Sequence, residues 1–258
     1  MSSSESEPNN HAARGSLRLA PNVEEREEQK RKVPRQFVNF TFYRVRPEWR
    51  LLSDDEKRNC KRDFIAALDD FRALLLIHTY STVGLRTGAD FMIWRIGCEL
   101  DPMQEMTARL NQTSMAKYIE ATHSLLSMTK RSMFIGTECA DTRDSHAHVV
   151  SGEADYLFVC PLQRSREWYT RPQEQRLEMM EESQRIGSKY RSVKVHTTYS
   201  FGLDDQDLVV AFETDKPADF LDLYQELRET KASCFTSRDT PMFTCRKRGL
   251  AECLDALG

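Results

Sequence analysis

Four places in the chain carry side chains that could do chemistry. In LEMMEESQRIGSKY, Leu177 to Tyr190, Met179 and Ile186 lie seven apart on one helical stripe and Ser183 falls between them. A hydroxyl on that stripe is core punctuation, a helix residue bonded to the carbonyl four back, or the remnant of a reactive position. Cys160 precedes Pro161 at the end of an apolar run. Its thiol either fills a small apolar space or donates a hydrogen atom in radical chemistry. His196 stands in VKVHTTYSF, where strand alternation puts Val193, Val195, Thr197 and Tyr199 on one face and Lys194, His196, Thr198 and Ser200 on the other. It reads as a half-exposed histidine on a polar face or as an imidazole ligand for a metal. His146 and His148, spaced H-x-H in a polar segment, are loop side chains or a metal pair. Trp168, Tyr169, Met179 and Met180 could line a flat apolar slot or simply form core.

The background composition narrows the function classes. The 258 residues are 40% hydrophobic and 30% charged with a net charge of -3, which describes a globular protein with no basic face for nucleic acid. Seven cysteines without a CxxC pair suit neither a disulfide framework nor a zinc site. Reduced thiols in the cytoplasm fit them best. No run approaches the about 18 apolar residues of a membrane helix, and no signal-peptide apolar core opens the chain.

An internal repeat organises the rest. Trp49 and Trp168 are 119 apart, as are Tyr80 and Tyr199, and Gly84 and Gly202 are 118 apart. Each copy reads as a β-prone run (Val38–Phe42; Tyr156–Val159), then a helix. The helix is opened by a capping box at Ser53–Glu56 in one copy and Thr170–Gln173 in the other. Two strands about a glycine turn, a second helix (Asp101–Leu110; Ala218–Leu227) and a last strand follow. That last strand falls at Ser124–Thr129 or Met133–Ile135 in the first copy and at Met242–Thr244 in the second. The order β-α-β-β-α-β predicts an α+β protein of two tandem ferredoxin-like halves. The expected boundaries are a disordered tail over 1–35, a first half over 36–135, a linker over 136–153, a second half over 154–245 and a solvated tail over 246–258.

With these elements in place, residues 36–245 resemble the chlorite dismutase superfamily, which includes coproheme decarboxylase, the last enzyme of a bacterial haem b pathway. The likeness is densest in YLFVCPLQRSREWYTRPQEQRLEMMEE, KVHTTYSFGLDDQDLVVAFETDKPADFLDLYQELRETKAS and RDTPMFTC. It implies a dimeric α+β barrel-type domain, assembly as a homo-oligomer (usually a pentamer), and haem b or iron coproporphyrin in the C-terminal half. Cys160 takes the place of the tyrosine whose radical attacks the propionate in decarboxylases. Ser183 takes the place of the proximal histidine, and Ser188 that of a basic residue, with Lys189 adjacent. The distal position falls on His196 or Val195, so His196 is the remaining candidate iron ligand and, with Cys160, the candidate catalytic pair. Trp168, Met180, Ser183, Lys189, His196 and Ser233 are the implied cofactor contacts, Ser233 alternatively being a helix cap. With no arginine at 195–197 to hold an oxyanion, chlorite decomposition is not expected. The likeness leaves two functions: peroxide-dependent coproheme decarboxylation, or a catalytically degenerate member serving as a porphyrin carrier or as the structural partner of an active paralogue.

Overall fold

The computed structural model describes residues 34–130, 149 and 151–258. The first copy runs β1 (Phe37–Val45), α1 (Asp54–Asp69), β2 (Leu76–Ser81), β3 (Phe91–Gly97), α2 (Asp101–Asn111) and β4 (Ile119–Met128). The second runs β5 (Tyr156–Arg164), α3 (Arg166–Thr170), α4 (Gln173–Lys189), β6 (Lys194–Tyr199), β7 (Leu208–Thr214), α5 (Pro217–Arg228), a short β8 (Thr236–Arg238) and β9 (Phe243–Lys247). A last helix, α6 (Leu250–Asp255), ends the chain. No helix among the described residues is long and apolar enough to cross a membrane.

The two halves share one strand order, β4-β1-β3-β2 and β9-β5-β7-β6, with antiparallel neighbours throughout. They join edge to edge twice: Tyr80 and Ser81 of β2 pair with Lys247 and Arg246 of β9, and Met128 of β4 pairs with Tyr199 of β6. The hydrogen-bonded order therefore closes on itself. The seams are short, one residue pair at β4–β6 and two at β2–β9, and closure gives the sheet an inner and an outer face, both buried wherever helices cover the outside. Gly84 and Gly202, a pair in the repeat, share the same left-handed φ, 75° and 72°.

Local chemistry explains the helix starts. Ser53 Oγ accepts from the Glu56 amide while the Glu56 carboxylate takes the Ser53 amide, so α1 has the predicted capping box. The predicted box at Thr170–Gln173 does not form. Thr170 Oγ1 donates back to the Glu167 carbonyl at 3.0 Å, and α4 starts after Pro172 with no side-chain cap. A proline disfavours helical backbone at the residue before it, and Arg171 is extended (φ −69°, ψ 146°), so the chain breaks between α3 and α4. The final strand of the first copy is Ile119–Met128; Met133–Ile135 lie outside the described residues.

Residues 246–258 are not a solvated tail. Arg246 and Lys247 continue β9, Thr79 Oγ1 donates to the Arg248 carbonyl at 2.6 Å, and α6 lies over β2 and α1. Leu250, Cys253, Leu254 and Leu257 are buried in the outer core of the N-terminal half, and Trp49 Nε1 donates to the Gly258 carbonyl at 2.9 Å. The spacing i, i+3, i+4, i+7 is that of a helix with one apolar stripe, which needs a surface to cover. The end of the expected linker is also packed. Val149 is buried inside the closed sheet, and the Gly152 amide donates to Glu213 Oε1 at 2.6 Å. A side chain at Gly152 would stand 2.3 Å from the His78 ring, so only glycine fits there.

Candidate functional site

The outer faces of the two halves differ, although their strands match. In the N-terminal half one continuous cluster of nineteen buried residues, from Tyr43 to Leu257, fills the space between helices and sheet. In the C-terminal half the corresponding core is split. One cluster has six buried residues around Phe158, Cys160 and Phe212, with Ile186, Val195 and Val210 packed at its edge. The other has three, Trp168, Met179 and Ala232, with Met180 and Phe235 beside them.

Helix α4 spans the break. It buries one of its 17 residues, Met179, whereas the 16-residue α1 buries four. Below it, Val195, Thr197 and Val210 on the outer face of β6 and β7 are only half-buried. Their counterparts on β2, Ile77 and Thr79, are buried. Part of the reason is α6, which covers β2; among the described residues no helix covers β6 in the same way.

Ser183 sits at this break, four residues after Met179 in one cluster and three before Ile186 in the other. Its Oγ donates to the Met179 carbonyl at 3.5 Å, the bond expected of an ordinary helix serine. Cys160 points to the same outer face from β5. Its Sγ is 3.5 Å from Tyr224 Oη and 3.4 Å from the Asp239 carbonyl, and Tyr224 donates onward to Asp239 Oδ2 at 3.1 Å. Burial pushes the thiol up to about 11, so it is a neutral S–H at physiological pH, neither a nucleophile nor an anionic ligand. Alkylation by iodoacetamide should therefore be far slower at Cys160 than at the exposed Cys98 and Cys234, with its rate climbing as pH nears 11. Mass spectrometry of a labelling time course reads this, and equal rates at pH 8 would refute it.

His196 lies on the other face. Its ring is 3% exposed inside the closed sheet, where Nε2 is 2.8 Å from Glu213 Oε2 and the Trp94 ring meets it edge-on at 5.7 Å. Glu213 also accepts from Gly152 and, at 3.5 Å, from Tyr80. The half-exposed polar-face reading is corrected by closure: this face of β6 is interior. The alternation read from the sequence puts Val195 and Thr197, not His196, on the outer face that carries Cys160, and leaves His196 Nδ1 buried inside the sheet without a hydrogen-bond partner. Among the described residues no group of three or more His, Cys, Asp and Glu side chains could hold a metal ion.

The other expected contacts divide. Trp168 is buried, with the Arg164 guanidinium 4.8 Å above its ring, and Met180 lies beside it. Ser233 Oγ donates to the Arg228 carbonyl at the end of α5, which is the helix-cap alternative. Lys189 is exposed and ion-paired with Glu226. His146 and His148 lie outside the described residues. Three side chains were not singled out in the sequence. Tyr224 places a phenol against Cys160. Arg171 and Arg176 each hold a buried Nε that has no hydrogen-bond partner. Arg176 is seven residues before Ser183 and so on the same stripe of α4, a spacing that was available in the sequence.

The family model for chlorite dismutase matches residues 57–248. The chain belongs to the chlorite dismutase family. A coproheme decarboxylase of Mycolicibacterium smegmatis is 30% identical over 169 residues, covering 64% of this chain and 70% of the relative. A chlorite dismutase of Ideonella dechloratans is 24% identical over 199 residues, 76% of this chain and 70% of that one. The structure of chlorite dismutase from Candidatus Nitrospira defluvii in complex with imidazole superimposes with a TM-score of 0.78 at 22% identity, covering 89% of this chain and 98% of that one. These likenesses bear out the α+β, ferredoxin-like reading of the fold and place the chain in a family with a haem-related chemistry.

Proposed function

We propose that the C-terminal half binds an iron porphyrin, haem b or iron coproporphyrin, between α4 and the outer face of β6 and β7. The observation that carries this reading is the split core. A duplicated half with the same strand order as its partner leaves its apolar residues in two clusters with half-exposed strand faces between them. A flat apolar ligand would complete that core as α6 completes the other.

The residues present fit the macrocycle and its carboxylates. Met180 and Ile186 from α4, with Val195 and Val210 from the strands, offer apolar surface that excludes water. Arg176 and Arg171, each with an unpartnered buried Nε, offer charge-assisted donors to propionates. The residues do not offer the family's axial imidazole. Ser183 is a poor iron ligand and is already bonded to its own helix. Bound there, an iron porphyrin supplies one-electron chemistry with peroxide. The chain's part would be to hold the Cys160 proton within the Tyr224–Asp239 network and to orient the carboxylates at the arginines.

The relation to coproheme decarboxylase favours peroxide-dependent decarboxylation in haem b synthesis. The second reading is a degenerate member acting as a porphyrin carrier, or as a structural partner of an active paralogue within a homologous oligomer. Ser183 and the neutral Cys160 thiol favour it. Titrating the full chain with ferric coproheme and ferric haem while following the Soret band, then adding peroxide and weighing the porphyrin, separates them. Binding with loss of carbon dioxide supports the enzyme, and binding without it supports the carrier. No saturable binding overturns the enzyme and the carrier and leaves the structural partner.

A further inference from the structure

The N-terminal half holds a second, chemically distinct opening. Beneath α2, between β1, β3 and β4, lies a cavity of about 250 Å³. Arg95 lines it from the outer face of β3 and is only 5% exposed. Its Nη1 donates to the Met103 carbonyl at 3.1 Å and to Thr107 Oγ1 at 2.6 Å. Its Nη2 donates to Asn39 Oδ1 at 2.5 Å and to Thr41 Oγ1 at 2.7 Å. Every one of those acceptors is neutral. The third nitrogen, Nε, is buried with no partner, and no described Asp or Glu lines the cavity or pairs with the guanidinium.

A buried guanidinium without an acid is the unusual part. Buried charges are ordinarily paired, because taking an isolated cation out of water costs several kcal/mol that neutral acceptors only partly offset. The one ionisable neighbour that touches its electrostatics is Tyr43, whose phenol burial keeps protonated. The walls are amphiphilic. Phe64, Leu110 and Ile119 supply an apolar side, while Ser124 at the exposed mouth accepts from Asn39 Nδ2 and keeps its own proton free to donate.

We propose that this cavity is a binding site for a small organic carboxylate, its charged end at Arg95 and its apolar body against Phe64, Leu110 and Ile119. Arg95 is the cation, the four neutral acceptors hold its fork in one orientation, and the ligand supplies the missing negative charge. The site lies in the half opposite the porphyrin slot and does not depend on that reading. The space suits a chain or ring of a few carbons rather than a macrocycle.

Calorimetric titration of the purified full chain with hexanoate, against hexan-1-ol and inorganic phosphate, tests this. Hexanoate should bind saturably, hexanol and phosphate each much more weakly, and Arg95→Met should weaken hexanoate about 10- to 100-fold. Leu110→Trp fills the cavity while leaving Arg95 in place, and it should also abolish binding. That second variant keeps the test decisive if Arg95→Met does not fold. Absence of hexanoate binding, equal binding of hexanol or phosphate, or full affinity in Leu110→Trp would each overturn the proposal.

Discussion

Leu254→Ala is expected to lower the stability of the fold by about 2–5 kcal/mol, the range for a large-to-small change at a fully buried site. Leu254 has no exposed surface and packs with Leu250, Cys253 and Leu257 into the cluster that includes Trp49, Phe64 and Leu68. Removing its branched carbons leaves a cavity between α6, α1 and β2 that the sheet cannot collapse into. Urea denaturation followed by tryptophan fluorescence reads the loss, since Trp49 is bonded to the Gly258 carbonyl. A solvated tail would give a change within about 0.5 kcal/mol, and that outcome would refute the packing described for α6.

Glu213→Ala should be of similar size, about 3–5 kcal/mol, for a different reason. The carboxylate is 1% exposed and receives His196, the Gly152 amide and the Tyr80 phenol inside the closed sheet. Deleting it strands two buried donors, His196 and Tyr80, and the half-buried Gly152 amide, in an interior otherwise lined by Trp94, Phe40 and Val209. Glu213→Gln keeps an acceptor and should cost much less. Near-equal midpoints for Glu213→Ala and the parent chain in the same urea series would remove the structural role assigned to His196.

The duplication was legible because it is written in large, buried or conformationally special residues. Trp49 and Trp168 are both buried on a short helical turn just after the first strand of their half, Pro47–Leu51 in one and α3 in the other, and Gly84 and Gly202 share a left-handed φ. The orientation of β6 was legible only in part. Alternation correctly separated His196 from Val195, but polarity gave the wrong sign to inside and outside. An open sheet sends its polar face to water; this one closes, so His196 and Thr198 turn inward, where Glu213 from β7 meets His196 and the Val209 carbonyl takes the Thr198 hydroxyl, while Lys194 at the rim pairs with Glu153. Helix α6 carried its stripe of Leu250, Cys253, Leu254 and Leu257 in plain view. Its basic preface, Arg246–Arg248, masked it, because Arg246 and Lys247 sit on a strand whose backbone pairing no charge pattern announces. The break in the C-terminal core could not be read at all. It is a difference between two packed halves, and α4 has nearly as many apolar residues as a covered helix would need.

The central claim is that a porphyrin binds on the Ser183 side of β6 and not through His196. Ferric coproheme titration of the parent chain, His196→Gln and Ser183→His, read at the Soret band, tests it most directly. Glutamine can still hydrogen-bond Glu213, so the interior is retained. The account predicts saturable binding in all three, an unchanged band for His196→Gln, and a sharpened, shifted band for Ser183→His as iron gains an imidazole. Loss of the parent band in His196→Gln, with Ser183→His leaving it unmoved, would contradict the account.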